Sequence, residues 1–192
     1  MNRITTYIRQ SLQDIYPPEE VRALSMLICC DMLGVDALDI YMGKDIILSA
    51  CKQRELENII FRLQKNEPIQ YIRGIAEFCR RNFKVASSVL IPRPETAELV
   101  ELIVEENPNA RRLLDIGTGS GCIAISLDKK LPDAEVEAWD ISEEALAIAR
   151  KNNDALEARV RFLQRHVLAD DWEKIPSFDV IVSNPPYVTE TE

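Results

Sequence analysis

The segment Leu113-Leu114-Asp115-Ile116-Gly117-Thr118-Gly119-Ser120-Gly121, followed by Cys122-Ile123-Ala124-Ile125-Ser126-Leu127, constrains the fold more than any other part of the 192-residue chain. The apolar run Arg112–Ile116 reads as a short buried strand, and the glycines break it. Glycines at alternate positions free the backbone for turns closed to other residues and let a ligand approach it closely. The helix that follows offers unpaired N–H groups at its N-terminus. Glu135–Trp139 reads as a second strand ending at Asp140. Ser142 looks like an N-cap, with Glu143 and Glu144 in the first turn of a helix to about Asn153. Arg159–Gln164 and Phe178–Ser183 read as third and fourth strands. This alternation predicts an α/β fold whose parallel sheet binds ligands beyond the carboxyl ends of its strands.

Ahead of this region the pattern differs. Ile4, Ile8 and Leu12 recur at helical spacing, and Tyr16-Pro17-Pro18 ends that helix. Pro18 suits the first turn of a second helix, with Glu19 and Glu20 at its positive end and Val21, Leu24, Leu27 and Ile28 facing a core. This helix stops around Gly34. A short helix near Val35–Met42 and a longer one near Leu48–Gln64 complete a small helical bundle. Between Gly74 and Pro92 two extended pieces, Glu77–Phe83 and Lys84–Leu90, suggest a hairpin. The expected organisation is therefore a helical domain over residues 1–73, a β-hairpin linker over 74–94 and an α/β domain over 95–192.

Composition narrows the function classes. Apolar residues make up 46% and charged residues 29%, which suits a packed core with a charged surface. The longest apolar stretch, around Leu24 to Cys30, is far too short for a membrane span. The start Met-Asn-Arg-Ile-Thr-Thr lacks the apolar core of a secretory signal. Cys29, Cys30, Cys51, Cys79 and Cys122 form an odd, scattered set without a Cys-x-x-Cys pair, as expected of reduced thiols in the cytoplasm. His166 is the single histidine, so no metal site is expected. The net charge is −9, and nearly all of the excess lies after residue 80. That balance disfavours direct binding of duplex nucleic acid, which calls for a basic surface.

Three motifs carry chemistry, each at a strand end. The glycine spacing is Gly-x-Gly-x-Gly, which lacks both the Gly-x-Gly-x-x-Gly of dinucleotide folds and the Lys-Ser/Thr ending of a P-loop. Asp115 can orient the loop or accept a hydrogen bond from a ligand ammonium. Asp140 closes the next strand, where a carboxylate can take both hydroxyls of a ribose. Asn184-Pro185-Pro186-Tyr187 follows the last strand. Two prolines stiffen the backbone there, and the first forces Asn184 to be extended. The carboxamide oxygen and proline carbonyls are acceptors able to grip a planar –NH2 group while the ring covers its face. A rigid turn after an edge strand is the alternative reading.

Together and in this order, the three motifs resemble those of class I S-adenosylmethionine-dependent methyltransferases. The tetrapeptide form is shared by enzymes that methylate adenine N6 and by those that methylate a glutamine amide. The linker separates them. Gln70-Tyr71-Ile72-x-Gly74-x-Ala76-Glu77-Phe78, Phe83-Lys84-Val85 and Val89-Leu90-Ile91-Pro92-Arg93-Pro94-Glu95-Thr96 resemble the peptide-chain release factor glutamine N5-methyltransferases. The resemblance implies a Rossmann-like methyltransferase sheet and a helical N-terminal domain that helps to engage the release factor. It implies that Gly117, Thr118, Gly119, Ser120 and Gly121 wrap the amino-acid portion of S-adenosylmethionine, with Asp115 beside them. Asp140 then binds the ribose, and Val167 lines the adenine site. Asn184 and the Pro185 carbonyl hold the substrate –NH2, and Pro186 and Tyr187 complete the substrate contact, Tyr187 packing on the amide plane.

The chain departs from the family pattern twice. His166 stands where an acidic residue near the adenine is usual, with Asp170 or Asp171 as substitutes after a loop shift. Family members also continue beyond the position of Glu192, so the chain is expected to be C-terminally truncated, with an incomplete sheet and an open edge. Adenine N6 methylation and an inactive cofactor-binding or interaction fragment are the alternatives. Arg93 and Glu95 are expected to brace the hairpin. Trp139, Trp172 and Cys122 are expected to pack, although a helix N-terminus by itself lowers a thiol pKa.

Overall fold

A computed structural model describes residues 3–168, 175 and 177–185. The chain divides into two compact units, Met1–Arg73 and Gly74–Glu192.

The first unit is helical among its described residues. Helix α1 (Arg3–Leu12) places Ile4, Ile8 and Leu12 on one buried face. Helix α2 (Pro18–Met26) starts with proline in its first turn beside Glu19 and Glu20. It runs directly into a π-helical turn, Leu27–Met32, in which the Leu33 N–H reaches back to the Ile28 carbonyl. The sequence predicts one unbroken helix here. The wider turn buries both Ile28 and Cys29, adjacent residues that ordinary α-helical spacing turns about 100° apart. Asp36 caps α3 (Ala37–Tyr41), and Ser49 caps α4 (Ala50–Leu63). A five-residue helix, α5 (Ile69–Arg73), closes the unit. Leu56, Ile59, Ile60 and Leu63 of α4 complete the core with the α1 and α2 residues. The Tyr16 hydroxyl donates to the Leu63 carbonyl at 2.8 Å, so the ring that ends α1 also ties it to α4.

The second unit opens with an antiparallel hairpin, β1 (Ile75–Phe78) and β2 (Arg81–Lys84), in which Phe78 faces Arg81. This corrects the expected strands Glu77–Phe83 and Lys84–Leu90. The turn falls at Cys79 and Arg80, both at positive φ (46° and 59°). No Asn-Gly or Asp-Gly pair marks it in the sequence. The register sends Phe78 and Phe83 into the core, edge to face at 6.0 Å. After β2 the chain turns, with the Val89 N–H bonded to the Ala86 carbonyl. Helix α6 (Pro94–Glu106) follows, an element the strand-and-loop signals did not announce.

Strands β3 (Arg112–Ile116), β4 (Glu135–Asp140), β5 (Arg161–Gln164) and β6 (Val180–Ser183) form one sheet, ordered β5-β4-β3-β6. All three pairings are parallel, as predicted. Helices α7 (Cys122–Lys130) and α8 (Glu143–Ala155) connect them. Strand β3 pairs with β4 on one side and β6 on the other, so Ile116 stands level with Trp139 and with Ser183. The glycine loop, Asp140 and Asn184 thus emerge from neighbouring strands at the same end of the sheet. Strand β6 is an edge among the described residues, with Ile181 about half exposed.

Candidate active site

The glycine loop is pinned from beneath. Trp139, one strand over, accepts two bonds through its carbonyl, from the Gly117 N–H at 2.8 Å and the Thr118 N–H at 3.0 Å. Gly117, Gly119 and Gly121 all have positive φ (72°, 55° and 79°), so every second residue needs the left-handed region. Gly121 is doubly constrained, because a Cβ there would lie 3.2 Å from the Ala149 and Ile125 side chains. Gly117 and Gly119 have no atom within 4 Å of such a Cβ.

Asp140 holds the outer side of the loop. One carboxylate oxygen accepts from the Gly119 N–H at 2.9 Å, and the other accepts from the Ser142 N–H at 2.9 Å. Ser142 caps α8 through a bond from the Ala145 N–H, as predicted. Each Asp140 oxygen keeps further lone-pair capacity, since a carboxylate offers about four acceptor directions.

These residues line a cavity of about 470 Å³ with Ile116, Trp139, Val167 and Asn184 on its walls. That volume suits a small-molecule ligand. His166 also lines it from an exposed position, its Nδ1 accepting from the Leu168 N–H at 3.3 Å. The Arg165 guanidinium stacks over the buried Trp139 ring, 4.7 Å from its centroid.

The site residues named from the sequence fall into three groups. Gly117, Gly119, Asp140, Val167, Asn184 and Pro185 line the cavity together. Asp115, Thr118, Ser120 and Gly121 do not; they are buried behind the loop that the cavity sees. Pro186 and Tyr187 lie outside the described residues, as do Asp170, Asp171 and Trp172. Of the two roles open to Asp115, its geometry serves the loop. Its Oδ2 accepts from the Thr118 hydroxyl at 2.6 Å and from the Ala124 N–H at 3.3 Å. Its Oδ1 is buried without a hydrogen-bond partner among the described residues. Burial drives its pKa up from 3.8 to about 6, against the lowering effect of those two bonds. Burial likewise pushes the Cys122 thiol up to about 12, overriding the helix N-terminus, so Cys122 is a packing residue.

At β6 the Ser183 hydroxyl donates to the Ile116 carbonyl at 2.8 Å, fixing the strand end one residue before Asn184. The Asn184 Nδ2 then donates to the Thr96 hydroxyl of α6 at 3.0 Å. Beside it lies a second cavity of about 430 Å³, lined by Leu90, Arg93, Glu95, Thr96, Leu99, Asn184 and Pro185. Leu90, Asn184 and Pro185 belong to both cavities. Arg93 and Glu95, expected as braces, therefore stand on the wall of a cavity next to Asn184.

Sequence reasoning missed Asn152. This α8 residue is 1% exposed. It donates to the Ser120 carbonyl at 2.8 Å and to the Lys84 carbonyl at 3.0 Å, and accepts from the Lys84 N–H at 2.7 Å. It joins the hairpin to the glycine loop. An Asn inside the polar helix segment Lys151-Asn152-Asn153-Asp154 carries no signal for such a role.

Residues 76–192 match the family described as the Methyltransferase small domain, and residues 4–74 match the PrmC N-terminal domain. A release factor glutamine methyltransferase of Bacteroides thetaiotaomicron is 83% identical over 192 residues, covering all of this chain and 69% of that protein. The protein of the same name from Flavobacterium psychrophilum is 40% identical, covering 97% of this chain and 67% of its own length. Among solved structures, a 16S rRNA methyltransferase of Thermus thermophilus aligns with a TM-score of 0.48 and 20% identity, over 60% of this chain and 33% of that one.

Proposed function

We propose that this chain, which belongs to the release factor glutamine methyltransferase family, moves a methyl group from S-adenosylmethionine to the side-chain amide nitrogen of a glutamine in a peptide-chain release factor. The observation that carries this reading is the position of Asn184 and Pro185, on the wall common to two cavities. One cavity has the glycine loop and Asp140; the other has none of those features and opens beside the Asn184 carboxamide. A donor in the first and an amide in the second would meet at Asn184.

The first cavity fits S-adenosylmethionine. The open space over Gly117 and Gly119, where any Cβ would project, admits a ligand close to the backbone. Asp140 stands at the end of β4 with acceptor capacity left for a pair of ribose hydroxyls. Val167 and His166 line the same cavity beyond β5. When bound, this group supplies an electrophilic methyl on a sulfonium.

The protein's part is to make a poor nucleophile adequate. An amide nitrogen is weak because its lone pair is delocalised into the carbonyl. The Asn184 Oδ1 and the Pro185 carbonyl each accept one hydrogen of the glutamine –NH2. Held that way, the nitrogen directs its lone-pair density toward the first cavity, for in-line displacement. Fixing a reactant in attack geometry supplies a large share of such a barrier. Tyr187 would cover the amide plane. No strong base is required, because the nitrogen becomes acidic once alkylated and releases its proton to water.

We assign the helical unit to engaging the release factor and the protein to the cytoplasm. No helix among the described residues is long and apolar enough to cross a membrane. Incubation with methyl-labelled S-adenosylmethionine and, separately, a release factor, DNA and RNA tests the reading. Label on a release-factor glutamine is expected. Label on adenine instead would replace this function with nucleic-acid methylation.

A further inference from the structure

We propose that His166 recognises the adenine of the methyl donor by donating a hydrogen bond to a ring nitrogen of the base, and does not read its exocyclic amine. The inference rests on the reading of the first cavity as the S-adenosylmethionine site and goes one step deeper into it. Strand order sets where the base must lie. The sheet runs β6-β3-β4-β5, so Asn184, the glycine loop, Asp140 and His166 follow one another along one end of it. S-adenosylmethionine carries its sulfonium on one side of the ribose and its base on the other. With the methyl directed at Asn184 and the ribose at Asp140, the base extends toward the end of β5. The Arg165 N–H donates to the Asp140 carbonyl at 3.0 Å, so His166 directly follows a residue tied to that strand end. His166 lines the same cavity as Asp140.

What His166 can offer a base is decided by its backbone neighbour. Its Nδ1 accepts from the Leu168 N–H at 3.3 Å. A backbone N–H only donates, so this nitrogen carries no hydrogen while the bond is made. The hydrogen of the neutral imidazole is then on Nε2, which leaves one N–H and no acceptor nitrogen for a ligand. Protonation does not change that sign, because an imidazolium has two donors and no acceptor. The exocyclic amine of adenine brings hydrogens and would set donor against donor. N1, N3 and N7 of the ring are acceptors and match Nε2–H. A carboxylate at this position would do the reverse and accept from the amine. The rest of the cavity agrees. Among the described residues Asp140 is its only carboxylate, and the Arg165 guanidinium over Trp139 is a further donor group beyond β5.

Ligands altered at one position separate the two modes. The 1-deaza, 3-deaza and 7-deaza analogues of S-adenosylhomocysteine each replace one ring nitrogen by CH, and the 6-deamino analogue lacks the amine. His166→Phe keeps an aromatic ring at this exposed position and removes the donor. One neutral hydrogen bond changes a Kd by roughly three- to ten-fold. Calorimetry should therefore find one deaza analogue whose penalty in the parent shrinks by about that factor in His166→Phe. The penalty for losing the 6-amino group should be the same in both proteins within about two-fold, since His166 does not touch it.

The contact also has a readout independent of affinity. His166 is the single histidine of the chain, so in an untagged sample its ring nitrogens give the only imidazole signals in a nitrogen–proton NMR spectrum. At pH 8 the free protein should show the hydrogen on Nε2, and S-adenosylhomocysteine should shift that nitrogen. The deaza analogue singled out by calorimetry should leave it near its free position. A hydrogen on Nδ1 overturns the proposal. So does an Nε2 that S-adenosylhomocysteine leaves unmoved, a set of deaza penalties none of which shrinks in His166→Phe, or a 6-deamino penalty that does. If the parent binds no S-adenosylhomocysteine, the reading of the first cavity fails before this one. If it binds, and His166→Phe ranks every analogue as the parent does, the assignment of His166 alone fails.

Discussion

The two walls that meet at Asn184 are built differently. The glycine-loop wall rises from the two central strands and is held by several partners at once. These are the Trp139 carbonyl, the Asp140 and Asp115 carboxylates and the Asn152 carboxamide. Among the described residues, the Asn184 wall rises from an edge strand paired with β3, and its end is tied by two side-chain bonds, Ser183 to Ile116 and Asn184 to Thr96. Redundant anchoring makes a rigid receptor for a ligand that binds the same way each time. Sparse anchoring suits a wall that must meet a bulky protein acceptor and release it. The same contrast predicts where substitutions act: behind the loop they change stability and donor affinity, and at the β6 end they change turnover.

The sharpest way to break this division is to compare Asp140→Ala with Asn184→Ala. Asn184→Ala removes the acceptor proposed to hold the substrate –NH2, a loss expected to cost on the order of 100- to 1,000-fold in kcat. Donor affinity should barely change. Asp140→Ala should do the reverse. Losing the proposed charge-assisted bonds to two ribose hydroxyls, together with the Gly119 and Ser142 anchors, is expected to weaken binding of S-adenosylhomocysteine by about 100-fold. Calorimetry with that product and a methyl-transfer assay read the two quantities separately. Equal effects of both variants on both quantities would erase the distinction between the walls.

Asp115 tests the anchoring itself through pH. Its pKa is about 6 in the fold against an ordinary 3.8, so between those values the folded protein holds a proton that the unfolded chain has lost. Stability from this group is therefore full below about pH 3.8, falls as pH rises toward 6 and is flat above it. At 1.36 kcal/mol for each pKa unit, the difference amounts to about 3 kcal/mol. Urea unfolding of the ligand-free protein across pH 4 to 7 should show that decline. Asp115→Asn should flatten it, and an unchanged slope in that variant would assign the pH dependence to other groups.

Much of this wall was legible in the sequence, because its chemistry is local. Strand β3 matches its predicted bounds, and β4 and the Ser142 cap follow from short patterns of apolar spacing, glycine and capping residues. The parallel order followed from strand–helix alternation. Long-range side-chain bonds were not legible. Nothing near Thr96 or Asn152 in sequence indicates partners 88, 68 or 32 positions away. The hairpin turn at Cys79-Arg80 was misplaced for a related reason. Its register is set by burying two phenylalanines against the sheet, while its turn residues carry none of the usual signals. At Cys122 the packing role expected from the sequence holds, because burial outweighs the lowering effect of a helix N-terminus on the thiol pKa.

Asn152 gives the smallest effect and the most specific one. Its carboxamide uses both hydrogens and its oxygen on three backbone groups, two of Lys84 and one of Ser120. Asn152→Ala would leave those groups short of partners at a site that is 1% exposed. Unmet buried bonds of this kind cost about 2 kcal/mol in total, and denaturant unfolding would measure the loss. The isosteric Asn152→Asp separates hydrogen bonding from packing. It keeps the volume and still accepts from the Lys84 N–H, but it turns a carboxylate oxygen toward two carbonyl oxygens. If bonding dominates, Asn152→Asp should be at least as destabilised as Asn152→Ala at pH 7. If packing dominates, it should be close to the parent. In either variant the Ser120 carbonyl loses its tether, so donor affinity should fall while kcat at saturating donor holds. A fall in kcat alone would mean that the hairpin, through Lys84, supports the Asn184 wall as well as the glycine loop.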